Sequence, residues 1–213
     1  MAVRVDLNIS LDGVSSPADP TPENPMGADW GLLTSAYAST RTFRSRVLGD
    51  PSGKGTTGVD DAYAAAYFEG VGAEVMGAAM FGLHSFPDDP DWKGWWDDEP
   101  PFRCPVLVLT HTPRPALSFE NGTTFEFLSA TPAEALERAT AVAGGQDVRI
   151  GGGTGVVRDF LRAGLVDQVH VSIAPVVLGR GDRLWDDVRM LWSDFTVTSE
   201  TAESGTIHVT FRR

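Results

Sequence analysis

The chain has 213 residues, with 17 basic against 29 acidic side chains and a net charge of -12. So acidic a surface repels phosphate backbones and disfavours nucleic acid as a partner, although a local cluster of donors still suffices for a small anionic cofactor. The single cysteine, Cys104, excludes an intramolecular disulfide and a thiolate zinc site, and no apolar run approaches the roughly 18 residues needed to cross a bilayer.

In chain order, Val3, Val5, Leu7 and Ile9 alternate with Arg4, Asp6, Asn8 and Ser10, the pattern of a strand with two unlike faces and not of a leader peptide. Asp12-Gly13 ends it, and Pro17, Pro20, Pro22 and Pro25 mark a long irregular segment. A helix is expected over 28–43, a flexible loop over 49–58, and a second helix over 62–69, with Asp60 and Asp61 as first-turn caps. Residues 73–76 read as a strand. Residues 85–103 form an insertion loop in which Asp88, Asp89, Asp91, Asp97, Asp98 and Glu99 surround Trp92, Trp95 and Trp96; tryptophans in this number point to packing.

Residues 105–110 suit a strand covered on both faces, and 124–128 a further strand. Thr131-Pro132-Ala133-Glu134 matches a capping box, so a helix follows to about Gly144. Then come a strand at 147–150, a turn at 151–155, a helix at 156–163, a strand at 169–173, and a closing hairpin of 195–201 and 206–211. Strands alternating with helices before a hairpin define an α/β fold with a mostly parallel mixed sheet, read as one domain over 1–213 in the cytosol.

The sharpest local signal is Gly151-Gly152-Gly153-Thr154-Gly155 between a strand and a helix. Four glycines in five residues exceed what a turn needs, and they allow an anion close to backbone N–H groups, as a diphosphate cradle requires. The frame starting at Gly151 has Val156 where the dinucleotide fingerprint needs its third glycine. The four histidines, His84, His111, His170 and His208, lack metal-ligand spacing, His170 being read on a polar sheet face.

Further motifs lie in order along nearly the whole chain: Asn8-Ile9-Ser10-Leu11-Asp12-Gly13, Val75-Met76-Gly77-Ala78-Ala79-Met80-Phe81, Val106-Leu107-Val108-Leu109-Thr110-His111, and Gly164-Leu165-Val166-Asp167-Gln168-Val169-His170 running into Ala174-Pro175-Val176-Val177-Leu178-Gly179-Arg180-Gly181. With the glycine turn they resemble the dihydrofolate-reductase-like superfamily, in particular the branch of the riboflavin-biosynthesis deaminase/reductase and its standalone homologues. The resemblance implies an eight-stranded mixed sheet flanked by helices, a homodimer, NADPH as hydride donor with NADH possible, and a small heterocyclic substrate of pterin, pyrimidine, flavin-like or imine type reduced at C=N or C=O. It places Gly151, Gly152, Gly153, Thr154 and Gly155 at the cofactor diphosphate, Thr110, His111 and Arg114 at the adenosine end, Asn8 and Ser10 at the nicotinamide, and Asp61 as the acid aiding protonation. The family arginine after Gly77 is replaced by Ala78. That substitution favours the alternative, a flavin- or pterin-binding protein without turnover; the glycine turn and Asp61 favour the reductase.

Overall fold

The computed structural model describes residues 1–213 except positions 17, 19, 20, 22, 25, 88, 187 and 190 and the side chains at 191 and 192. Pro17, Pro20, Pro22 and Pro25 of the irregular segment, and Asp88 of the tryptophan loop, therefore lie outside the described residues.

The elements in order are β1 (Val3–Ser10), β2 (Val14–Ser16), α1 (Trp30–Ser39), α2 (Arg41–Arg46), α3 (Val59–Ala66), β3 (Val71–Gly77), α4 (Ala78–Phe81), β4 (Pro105–Leu109), β5 (Leu117–Ser118), β6 (Thr124–Leu128), α5 (Pro132–Val142), β7 (Asp147–Gly152), α6 (Thr154–Arg162), β8 (Gln168–Ala174), β9 (Asp182–Arg183), α7 (Leu191–Asp194), β10 (Thr196–Thr201) and β11 (Ile207–Arg212). Nine strands form one sheet in the order β10-β11-β8-β1-β7-β3-β4-β6-β5, and β2 pairs with β9 apart from it. The pairs among β8, β1, β7, β3, β4 and β6 are parallel; β10, β11 and β5 join antiparallel. The sheet thus has one strand more than the resemblance implies, because the two-residue β5 folds back on β6.

The two faces of the sheet differ in chemistry. Val3, Val5, Val75, Leu107, Val148 and Ile150 pack with Ala135 and Ala139 of α5 and Val157 and Phe160 of α6 in the main core. Toward β4 and β6 the opposite face is aromatic, with Phe81, Phe125 and Phe127 under Trp92 and Trp96. Strand β4 feeds both clusters, through Leu107 on one face and Val106 and Val108 on the other, as its apolar run requires. The tryptophan loop is packed: the Trp92 and Trp95 indoles donate to the carbonyls of Phe81 and Met80 at 3.0 and 2.8 Å.

Over β3, β7, β1, β8 and β11 this second face is polar and buried, carrying Glu74, Arg149, His170 and His208. Arg149 and Glu74 face each other across β7 and β3 as a buried ion pair, and the guanidinium lies 3.2 Å from the Tyr67 ring centroid. Burial pushes the Glu74 carboxyl up and the guanidinium down. Removing either partner would leave a buried unpaired charge, at a cost of about 3–5 kcal/mol.

Several predicted boundaries shift for identifiable reasons. The helix read over 28–43 breaks at Thr40, whose extended backbone (ψ 152°) lets its hydroxyl accept from Phe43 N at the start of α2. Neither Asp60 nor Asp61 caps α3, where Gly58 is the N-cap and the Val59 N–H donates to Glu203 Oε2 at 3.1 Å; the two carboxylates bond to His208 and to Thr42 N instead. The capping box at Thr131 and Glu134 is present as read. The 151–155 segment is shorter as a turn, since β7 runs to Gly152 and α6 starts at Thr154. The block ending in Gly181 is explained by β2: Gly181 has φ +106°, and a Cβ there would lie 2.4 Å from the Ser16 carbonyl oxygen. Asp12 locks this corner by accepting from Ser10 Oγ, Leu178 N and Gly179 N, bonds that hold its carboxyl below the usual range.

Candidate functional site

The carboxyl ends of the parallel strands β3, β4, β6 and β7 converge on one cleft of about 1000 Å³. Ligands of open α/β sheets sit at such ends, where loops leave the strands and helices begin. Gly77 and Ala78 follow β3, Thr110 and His111 follow β4, Ser129 and Ala130 follow β6, and Gly153, Thr154 and Gly155 follow β7. The outer wall comes from the tryptophan loop and its lead-in, through Leu83, His84, Pro87, Asp89 and Pro90.

The chemistry of the cleft centres on the first turn of α6. Its N-cap, Gly153, has no side chain to accept from the first-turn N–H groups, and among the described residues no side chain bonds to them. These donors and the positive end of the helix dipole therefore face the cleft. A Cβ at Gly153 or at Gly155 would meet nothing within 4 Å, so the space above the turn is open. At Gly77 a Cβ would lie 2.9 Å from Val156 Cγ2, which keeps β3 close beside this turn. The Thr154 hydroxyl is buried and bonded to Ser16 Oγ at 2.8 Å, tying the turn to β2. The residues present thus fit a diphosphate: an uncapped helix start, glycines that admit close approach, and no carboxylate in the first turn of α6.

The expected site residues divide in two. Gly77, Ala78, Thr110, His111, Arg114, Gly153, Thr154 and Gly155 all line the cleft. Arg114 donates to the carbonyls of Asp89 and Pro90, bracing the outer wall, and its guanidinium lies 5.5 Å from the Phe127 ring centroid. Asn8, Ser10, Asp61, Gly151 and Gly152 are not among the lining residues. Ser10 is fully buried, donating to Asp12 and accepting from Val14 N. Gly151 has a packing reason, since a Cβ there would lie 2.0 Å from Glu74 Oε1. Gly152 has φ +125°, a region closed to most side chains. Asp61 Oδ1 accepts from Thr42 N at 2.8 Å, linking α3 to α2.

Sequence reasoning missed Ser16, Ser129, Ala130, Asp159 and Asp182 among the lining residues. Ser129 and Ala130 had a signal, because they join a predicted strand to the predicted capping box. Ser16 and Asp182 had none, since the short β2–β9 pair that brings them together joins segments over 160 residues apart. Among the described residues, no group of His, Cys, Asp or Glu could hold a metal ion, and no helix is long and apolar enough to cross a membrane.

The strand order, the cleft at the carboxyl ends and the closing antiparallel hairpin define a dihydrofolate-reductase-like fold. More narrowly, the chain belongs to the RibD C-terminal domain family, whose model matches residues 1–207. The chain is 36% identical over 67 residues to the uncharacterized protein YyaP of Bacillus subtilis, a match covering 32% of this chain and 36% of that protein. It thus spans about a third of the length of the curated relative it matches. Among solved structures it resembles a Shewanella sp. PV-4 protein assigned to riboflavin biosynthesis, with a TM-score of 0.59, 20% identity, and coverage of 100% of this chain and 99% of that one. It also resembles Acinetobacter baumannii RibD, with a TM-score of 0.54 and 16% identity over 99% of this chain and 57% of that one. A third similar fold is the dihydrofolate reductase of Enterococcus faecalis complexed with NADP(H), with a TM-score of 0.50 and 13% identity over 100% of this chain and 96% of that one.

Proposed function

We propose that the protein is a nicotinamide-dependent reductase that binds NADPH or NADH in the cleft and reduces a C=N or C=O bond of a small heterocyclic substrate. The observation that carries this reading is the uncapped start of α6, opening with Gly153 and Gly155 into the cleft of about 1000 Å³. Family membership supports it, and the Enterococcus relative of the same fold is complexed with NADP(H).

The cofactor, when bound, supplies the hydride. The chain's own part is to hold and orient it. The α6 first-turn N–H groups bind the diphosphate, and Thr110, His111 and Arg114 border the adenosine end. The tryptophan loop and its lead-in wall the outer side through Leu83, His84, Pro87, Asp89 and Pro90.

Ala78 favours a second reading, a binding protein that holds a flavin or pterin without turnover. It stands at the cleft where a cation would clamp the cofactor phosphates. Titration with NADPH, NADH, FMN and folate, followed by nicotinamide oxidation with candidate acceptors, separates the two. Saturable binding of a reduced nicotinamide cofactor together with acceptor-dependent oxidation is the expected result. Tight FMN or folate binding with no nicotinamide binding would replace the reductase by the second reading.

A further inference from the structure

On the polar face of the sheet, away from the cleft, four side chains from four elements form one line. Asp60 Oδ1 of α3 lies 2.9 Å from His208 Nε2 of β11, His208 Nδ1 lies 3.0 Å from His170 Nε2 of β8, and His170 Nδ1 lies 3.2 Å from Asp6 Oδ1 of β1. Asp60, His170 and His208 are buried, at 4%, 7% and 3% exposure. The Tyr63 ring lies flat over both imidazoles, 4.4 Å from His170 and 4.0 Å from His208, with interplanar angles of 9° and 2°. Its hydroxyl donates to Glu200 Oε1 of β10 at 2.7 Å, closing the edge of the stack.

Proton counting fixes the state of this line. Each of the three contacts needs one proton between its heavy atoms. Two neutral imidazoles carry only two. If both served the carboxylates, bare lone pairs would face each other across 3.0 Å in a buried site. A fourth proton would set N–H against N–H at the same place. With both carboxyl groups ionised, only three ring protons satisfy every contact.

We infer that the Asp60–His208–His170–Asp6 line is a proton-binding site that retains one shared proton at pH values where free imidazole has lost it, and that this proton fastens α3 to β8 and β11. The surrounding charges agree with a count of three. Asp6 and Asp60 flank the rings with two carboxylates, and Glu200 adds a third acid beyond Tyr63. The nearby cations are Arg212 on β11, which acts on Tyr63, and Arg149, which is bonded to Glu74. Tyr37 of α1 is buried with its hydroxyl pushed far up, so it stays neutral beside Asp6 and Arg149. Burial pushes His208 down, opposed by the Asp60 bond, so the shared proton rests on the three contacts and not on the basicity of His208 itself.

The site makes α3 sensitive to pH. Loss of the shared proton in base leaves His208 Nε2 bare against the Asp60 carboxylate and opens the contact that holds α3, and entry of a fourth in acid sets N–H against N–H between the rings. Helix α3 also anchors α2 through Asp61 and Thr42, so the effect reaches the helical layer over the sheet.

The test is nitrogen-15 NMR of histidine-labelled full-length protein at pH 8, well above the usual histidine value of about 6.5. The expected spectrum has His170 and His208 sharing three ring protons, with a strongly downfield bridging resonance. Two ordinary neutral rings at pH 8 would overturn the inference, as would titration of both near 6.5. Asp60→Asn gives a second arm. An amide can donate to His208 Nε2, so the line closes with one ring proton fewer, and the extra proton should be absent at pH 8. Its persistence there would also overturn the assignment. If that variant does not fold, the parent spectrum decides alone. Amide exchange over α3 should accelerate at least tenfold between pH 7 and 9 beyond its intrinsic base dependence, in step with loss of the bridging resonance. Exchange that ignores that loss would refute the fastening role.

Discussion

Helices α5 and α6 both begin at the carboxyl end of a parallel strand and both border the cleft, yet their first turns are completed differently. In α5 the chain satisfies its own donors, through Thr131 Oγ1 accepting from Glu134 N while the Glu134 carboxylate accepts from Thr131 N. In α6 the cap is a glycine and the donors are left to the cleft. The first arrangement stabilises the folded chain by about 1 kcal/mol. The second forgoes that in exchange for a place where an anion can complete the helix. An isolated capping box marks a start that needs nothing further, and glycine at the same position marks one that does.

The largest effect expected from breaking this contrast is at Gly155→Asp. The new carboxylate has open space and suits the helix dipole, so stability should stay level or rise by about 0.3–1 kcal/mol. The same charge repels a diphosphate and replaces a charge-assisted bond worth about 1.5–3 kcal/mol. Cofactor affinity by calorimetry should fall by roughly one to two decades. An unchanged dissociation constant would move the diphosphate elsewhere.

Next in size is Ala78→Arg, which adds the missing cation beside the open helix start. It should tighten both cofactors by roughly tenfold, one charge-assisted bond at the diphosphate they share, and NADPH further where the guanidinium reaches its 2′-phosphate, with smaller gains at high salt. A parent that already prefers NADPH by three decades, with no response to this change, would show that Ala78 does not set the preference.

Thr131→Ala addresses the closed start. It should lower unfolding free energy by about 1 kcal/mol and leave cofactor affinity untouched. Its cost should depend on pH. The bonds from Thr131 N and the Thr131 hydroxyl hold the Glu134 carboxyl below its ordinary value. The folded state therefore favours the ionised form. That contribution is complete above the unfolded value of about 4.3 and is lost as pH falls through the folded one. Parent and variant should converge in acid denaturation curves, and a constant gap down to low pH would rule out the carboxylate's share.

The smallest effect expected is at Asp61→Asn. An amide oxygen can still accept from Thr42 N, so the α2–α3 link survives. Turnover should change little, whereas a positioned acid would be worth about 10²–10⁴-fold. A loss in that range would make Asp61 the proton donor.

Local chemistry explains which features could be read in advance. Strand β1 and the capping box of α5 are written in adjacent residues, by alternation and by a four-residue motif. The α6 start was legible as a strand-to-helix turn because glycines cluster there, although packing and backbone conformation account for Gly151 and Gly152. The polar face was legible only at His170. Asp60 resembled a cap because first-turn carboxylates usually are, and only the pairing of β11 with β8 brings His208 against it. His170 and His208 are 38 residues apart, and the strand pairing brings them into contact with each other. Gly151 resembled a ligand contact, but Glu74 on a neighbouring strand accounts for it.

The tryptophan loop also gives the molecule an optical property. Trp92 and Trp95 are held against α4 by indole bonds to Phe81 and Met80, one turn from Ala78 at the cleft. Reduced nicotinamide absorbs where tryptophan emits, so a cofactor seated in the cleft would lie close to two immobilised fluorophores. Their emission should drop on addition of NADPH, with sensitised nicotinamide emission rising in proportion, whereas the oxidised cofactor should give no such transfer. The chain therefore carries its own label for cofactor occupancy, and a stopped-flow trace of unmodified protein would time its arrival and its oxidation separately.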